Sequence, residues 1–195
     1  MPELLKKARD FQQGNRRARE SDWKGKMGRR KRYYEITIYM EAIAKETMRL
    51  HPAVPMLVPR LCKESCEVGG YNIEKDSRVV VNVLAIGRDP TVWENPNEFD
   101  PGRFIIKNMD IKGLHNFEFL PFGSGRRMCP GYSLGFQVIL STLANLLHGF
   151  SWKLPDNIKN EDLNMDEANG LTIPRKFPLI ALATPRLPIH VYNLE

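Results

Sequence analysis

From Tyr132 to Phe150 the chain reads YSLGFQVILSTLANLLHGF, with apolar residues facing nearly every direction around a helix. A helix so clothed has no polar side to turn to water, and the pattern predicts that it is buried. Immediately before it stands FGSGRRMCPG, Phe122 to Gly131, in which one cysteine, Cys129, sits among glycines, arginines and a proline. Whatever this chain folds into must bring a polar, tightly turning loop to the entrance of an apolar helix.

The 195 residues suffice for one ordinary domain, and 42% hydrophobic content is that of a globular chain. Three cysteines, Cys62, Cys66 and Cys129, stand at uneven spacing, which argues against a disulfide framework and fits a reducing compartment. No apolar run reaches membrane-spanning length, and the opening MPELLKKARD lacks the apolar core of a secretory leader, so no targeting or anchoring segment is expected in this chain.

The net charge of +6 is local: residues 8–38 hold ten of the 29 Lys and Arg but four of the 23 Asp and Glu, and the remainder is neutral. This segment, ARDFQQGNRRARESDWKGKMGRRKRYYEITI, carries no sustained apolar face at helical or strand period. One reading is a solvated basic arm that meets phosphates, yet no zinc spacing or recognition helix accompanies it, and nucleic acid is not expected as a partner. The other comes from the genetic code. ESDWKGKMG, residues 20–28, can be written GAG AGU GAU UGG AAA GGA AAG AUG GGA, which read one base later gives RVIGKERW. KRYYEITIY, residues 31–39, can be written AAA AGA UAU UAC GAA AUU ACC AUA UAC, which read one base later gives KDITKLPY. The expected organisation is therefore an N-terminal segment, 1–38, that is a displaced reading frame or disordered, followed by one domain over 39–195.

From Tyr39 the pattern becomes orderly. YMEAIAKETMRL puts Met40, Ile43, Thr47 and Leu50 at helical spacing, with Pro52 to stop the helix. Three prolines then make HPAVPMLVPRL an extended stretch. CEVGGYNIEKDSRVVVNV reads as short strands turning at Gly69 and Gly70 and at EKDS, closed by Val79, Val80 and Val81. GRDPTVWENPNEFDPGRF is turn-rich, with Trp93, Phe99 and Phe104 available to pin it to a core. After the apolar helix, prolines space short apolar pieces such as FPLIALA into a loop and a terminal hairpin.

Cys129 carries the chemistry. A cysteine ahead of a helix meets unpaired N–H groups and the helix dipole, and Arg126 and Arg127 stand beside it; all favour an ionised sulfur. Gly123, Gly125 and Gly131 permit close backbone approach to a flat or bulky group, which an ordinary buried cysteine does not require. Zinc is disfavoured, since Cys62 and Cys66 in CKESC are not a paired CxxC. A cysteine nucleophile needs a base, and nothing nominates one of His51, His115, His148 or His190. GSGRR lacks the lysine and Ser/Thr of a phosphate-binding loop. Ligation of a haem iron remains.

FGSGRRMCPG resembles the haem-binding loop of cytochrome P-450, matching its pattern at Phe122, Gly125, Arg127, Cys129 and Gly131. KETMR, with Glu46 and Arg49 three apart on one helical face, resembles a second motif of that family, and Arg103 of FDPGRF the third member of the same ionic set. The wording of MLVPR, VNVLAIGRDP and LPFGSGRRMCPG is similar to plant microsomal members, flavonoid 3'-monooxygenase-like proteins among them. The likeness runs from about Tyr39 to the C-terminus.

The resemblance implies the C-terminal part of the cytochrome P-450 fold, mainly α with a small β-sheet region. It implies haem b with Cys129 as axial thiolate, donating electron density that favours O–O cleavage. Phe122 would pack near the sulfur, Gly125 and Gly131 would admit backbone N–H groups to it, and Arg127 and Arg60 would hold the haem propionates. Glu46, Arg49 and Arg103 would form a buried ionic network, although Gly102 stands where the family has Glu. Ala53, Val54, Met56, Leu171 and Thr172 would touch a small lipophilic or phenolic substrate. NADPH-cytochrome P-450 reductase is the implied partner, on the cytosolic face of the endoplasmic reticulum. Family members are far longer, with a membrane anchor expected only in an N-terminal part beyond this chain, and with a central helix carrying the acid and threonine that deliver protons.

Sequencing the transcript across the codons for residues 1–40 checks the displaced frame. A one-base offset on each side of the basic segment is the outcome expected of a misread gene, and an unbroken frame encoding the printed residues refutes that version and leaves a real lesion in the gene.

Overall fold

The computed structural model describes residues 2–3, 26–113, 116–155 and 158–192, with side chains of 26–35 and Val191 left aside. Four helices and three two-stranded antiparallel sheets follow one another along these residues. Helix α1 is Lys26–Leu50, and strands β1 Arg60–Leu61, β2 Cys66–Val68, β3 Tyr71–Ile73 and β4 Arg78–Val79 come next. Short helices α2 Val83–Ile86 and α3 Gly102–Lys107 precede α4 Tyr132–Gly149, and β5 Phe150–Lys153 and β6 Leu182–Pro185 complete the set.

Helix α1 stops where the sequence says it must. Pro52 disfavours helical backbone at His51, and the freed carbonyl of Leu50 accepts from Arg88 Nη2 at 2.8 Å. At its other end the helix begins at Lys26, thirteen residues ahead of the Tyr39 where the apolar spacing begins. No proline interrupts residues 26–38, and once a turn is nucleated each added residue costs little. Residues 4–25, most of the basic segment, lie outside the described residues.

The apolar positions foreseen on α1, Met40, Ile43 and Leu50, are all buried. The helix is also buried at Ala42, Ala44, Glu46 and Arg49, so it is enclosed on more than one side. Ala42 joins Trp93, Phe104, Met109 and Phe119 in one apolar cluster. Ile43 and Leu50 join Phe99, against which Leu143 and Leu147 of α4 pack. Trp93 and Phe104 stack at 5.7 Å, and Phe104 and Phe119 at 4.8 Å. The three aromatic residues expected to pin the turn-rich stretch are thus in the core, each contributing about 1.5–3 kcal/mol by burial.

The β region is a set of separate ribbons. Gly69 and Gly70 have φ of +58° and +83°, the left-handed pair that a two-residue hairpin turn needs, and Val68 pairs with Tyr71 across it. Asp76, at φ +66°, turns the EKDS stretch, and β4 then pairs with β1. The closing pair is not a local hairpin: β6 returns to β5, directly after α4, with Trp152 opposite Ala183.

The expectation of an enclosed α4 is corrected. Only Phe136 and Gly149 of its residues are buried, whereas Leu134 is 72% and Val138 53% exposed. One side of the helix lies on α1 through Leu143 and Leu147, its first turn meets the Phe122 ring, and the side holding Leu134 and Val138 is exposed.

His51, just past α1, ties this helix to distant segments. Its Nδ1 lies 2.6 Å from Glu167 Oε1 and its Nε2 3.2 Å from Glu3 Oε1. The Glu3 carboxylate, partly opposed by burial and reinforced by Glu167, raises the imidazole above its ordinary value of 6.5. A raised value in the folded state means a contribution that is complete below about pH 6.5 and is lost as pH climbs through the folded value. Urea denaturation at stepped pH is expected to show His51→Ala less stable by about 1 kcal/mol at low pH, with the gap closing as pH rises.

Candidate functional site

Two constructions share the side of the molecule built around α1. The first is an ion cluster behind the loops. Glu46 and Arg49 are 0% and 2% exposed, and a charge so deep is tolerable only if every hydrogen-bonding position is filled. They are. Arg49 Nε and Nη2 each donate to a Glu46 oxygen at 2.7 Å. Its Nη1 donates to the carbonyls of Gly87 and Pro96, and Nη2 also to that of Glu98. All five N–H groups of the guanidinium are thereby used.

Glu46 Oε1 in turn accepts from the Asp100 N–H at 2.8 Å and from Arg103 Nε at 3.1 Å. Arg103 spreads its remaining donors over the carbonyls of Glu94 and Glu98. Gly102 does not keep Arg103 away: its N–H is taken by Asp100 Oδ1 at 2.9 Å, and a Cβ there would press to 3.0 Å from the same oxygen. Trp93 lies under the Arg49 guanidinium at 5.1 Å and donates its indole N–H to Ile86.

The side-chain members of this cluster were visible in the sequence; its backbone acceptors were not. Gly87 is the missed residue. A Cβ at that position would stand 2.7 Å from the Arg49 carbonyl oxygen, so only glycine lets the 87–98 loop come this close to α1. Its one sequence signal was its place at the head of the turn-rich GRDP.

The second construction is the cysteine loop. Gly123 and Gly125 take φ of +74° and +70°, and Gly125–Arg127 forms a 3₁₀ turn closed by Met128 N–H on the Gly125 carbonyl at 3.1 Å. The loop then folds back, the Cys129 N–H donating to the Phe122 carbonyl at 3.0 Å. The Phe122 ring leans on the first turn of α4, 6.4 Å from Tyr132. Cys129 is exposed and free, Arg126 and Arg127 point into the open, and a Cβ at Gly131 would meet the sulfur at 4.0 Å. Arg60, on β1, reaches this loop: its Nη2 is 4.0 Å from where a Gly123 Cβ would be.

The residues named as substrate contacts come from two segments that the fold joins. Ile173 N–H donates to the Ala53 carbonyl at 3.0 Å, setting Leu171 and Thr172 beside the stretch holding Ala53, Val54 and Met56. Ala53, Met56, Leu171 and Thr172 are exposed and Val54 is half-buried. Of the histidines weighed as a base, His51 is engaged by its two carboxylates and His115 lies outside the described residues.

The chain thus carries a loop presenting the Cys129 sulfur and, on α1 and α3, a buried Glu–Arg–Arg cluster. The family model for cytochrome P450 matches residues 36–180, and this chain belongs to that family, whose members hold haem through a cysteine thiolate. Its relatives are plant enzymes in the first instance. Flavonoid 3',5'-hydroxylase of Eustoma exaltatum subsp. russellianum is 46% identical over 185 residues, 91% of this chain and 36% of that protein. Dimethylnonatriene synthase of Zea mays is 49% identical over 158 residues, 80% of this chain and 30% of that protein. Among solved structures, a zebra fish cytochrome P450 with abiraterone aligns at a TM-score of 0.65 and 31% identity, over 76% of this chain and 33% of that one. The chain thus spans about a third of the length of the relatives it matches.

Glu46→Ala is expected to lower the unfolding free energy by about 3–5 kcal/mol, because it strands two arginines in the interior. Arg49→Lys should lose nearly as much, since three ammonium donors cannot serve five guanidinium positions. Urea midpoints at unchanged slope give the measurement.

Proposed function

We propose that this chain supplies the proximal half of a monooxygenase site that inserts one oxygen atom from O2 into a small lipophilic or phenolic metabolite. The observation that carries the reading is the single exposed sulfur of Cys129 on a loop whose glycines leave open space. Among the described residues no group of three or more His, Cys, Asp or Glu comes together, and Cys129 offers an iron a single donor. Haem meets that condition, because the macrocycle brings its own equatorial nitrogens. Nothing lies within 4 Å of a Cβ placed at Gly125, which leaves room for a flat group against the loop.

In this reading Cys129 would hold the haem iron through its thiolate, and Phe122, Gly125 and Gly131 would shape its surroundings. Arg127 and Arg60 hold the propionates by charge-assisted hydrogen bonds. Glu46, Arg49 and Arg103 fix the loops behind the site and take no part in the chemistry. Haem held there would supply the activation of O2, and the Cys129 thiolate would donate electron density to it. Ala53, Val54, Met56, Leu171 and Thr172 offer the substrate an apolar rim. The flavonoid hydroxylase relatives favour a phenolic substrate, and electrons come from NADPH-cytochrome P-450 reductase at the cytosolic face of the endoplasmic reticulum. Among the described residues no helix is long and apolar enough to cross a membrane.

The chain by itself does not turn over substrate. Its α4 face around Leu134 and Val138 is bare, and the chain spans about a third of the length of the relatives it matches. The displaced frame over residues 8–38 belongs to the same proposal, that of a truncated or misread product of a longer enzyme gene.

Haem reconstitution of the full chain tests the ligand. A red-shifted Soret band of the ferrous carbonyl complex is expected and should vanish in Cys129→Ala; a band that survives the substitution removes Cys129 from the role. Product formed with NADPH, reductase and O2 overturns the claim of inactivity.

A further inference from the structure

Away from the haem-thiolate loop, the β-ribbon holds a second sulfur site. Cys62 Sγ and Cys66 Sγ lie 3.8 Å apart, within van der Waals contact, and neither is in a disulfide. Their backbones are held from both sides. Cys62 donates its N–H to Ser77 and accepts from Asp76 N–H, while Cys66 pairs with Ile73 at the start of β2. The intervening turn is pinned by Ser65 Oγ, which accepts the Lys75 N–H at 3.0 Å, and by the Cys62 thiol donating to the Glu64 carbonyl. Cys62 is half-buried and Cys66 exposed, so reagents reach the pair. With no third ligand among the described residues, metal capture is not the use such a pair suits.

We propose that Cys62 and Cys66 are a redox-active dithiol, modified by exchange with low-molecular-weight disulfides to give an intramolecular Cys62–Cys66 bond. The Cys62 thiolate attacks one sulfur of the external disulfide and expels its other half as a thiolate, leaving a mixed disulfide on Cys62. The Cys66 thiolate then attacks Cys62 Sγ, forms the new S–S bond and expels the second half. The protein loses two electrons and two protons, and the external disulfide is reduced to two thiols. The sulfurs must close from 3.8 Å to about 2.05 Å, a movement within reach of side-chain rotation on an exposed turn. The inference is independent of the role given to Cys129.

The test equilibrates the full chain with graded ratios of reduced to oxidised glutathione, quenches in acid, alkylates, and reads the intact and peptide masses. The expected result is joint loss of two thiols with Cys62 and Cys66 linked, Cys129 alkylated, and no glutathione adduct accumulating. In Cys66→Ser a glutathione adduct on Cys62 should persist. In urea, where the strand ladders no longer hold the sulfurs together, the ratio at half-oxidation should shift by about tenfold toward oxidised glutathione. Independent titration of the two thiols, stable adducts on the unmodified chain, or the same midpoint in urea overturns the proposal.

Discussion

The guanidinium of Arg49 is the point on which the rest of the molecule hangs. It has five donors in a plane, and the fold brings one carboxylate and three carbonyls to meet them. Those carbonyls belong to a loop rich in turns and prolines that has little regular structure of its own. Without a buried cation to converge on, residues 87–98 would have no common target. The cluster also reaches α3 through Arg103 and so sets where the Phe104 ring enters the core. A costly buried charge is here exchanged for order in a segment that neither helix nor sheet could organise.

This explains what could be read from the sequence and what could not. Glu46 and Arg49 were readable because helical spacing alone puts them on one face. Trp93, Phe99 and Phe104 were readable because large apolar rings in a polar loop have few places to go. Gly69 and Gly70 were readable because only glycine takes consecutive left-handed conformations cheaply. The carbonyls of Gly87, Pro96 and Glu98 left no trace, since every residue carries one. Nor did the need for glycine at position 87, which depends on how closely two distant segments approach.

The apolar helix shows the opposite failure. Composition says what a helix needs, not whether these residues can supply it. The expectation of burial for α4 rested on apolar residues all round the helix, yet Leu134, Val138 and Ile139 are exposed, whereas Leu143 and Leu147 do find partners on α1. The cysteine loop lies between these cases: its residues left thiolate ligation of haem as the remaining use, and the resemblance assigned roles to its neighbours. The meeting of Arg60 with Gly123, and of Ala53 with Ile173, required the chain to be folded.

The hydrogen bond from the Cys129 amide to the Phe122 carbonyl has a consequence of its own. It closes the loop through main-chain atoms, so the backbone position of Cys129 is held by a ring to which the side chain at 122 contributes nothing. Position and electronic environment are therefore separable variables at this site. Evolution can exchange the side chains at 122, 126 and 128 to tune polarity or shielding while the anchor point stays where it is. A loop of this kind serves as a socket: one geometry that accepts many different linings.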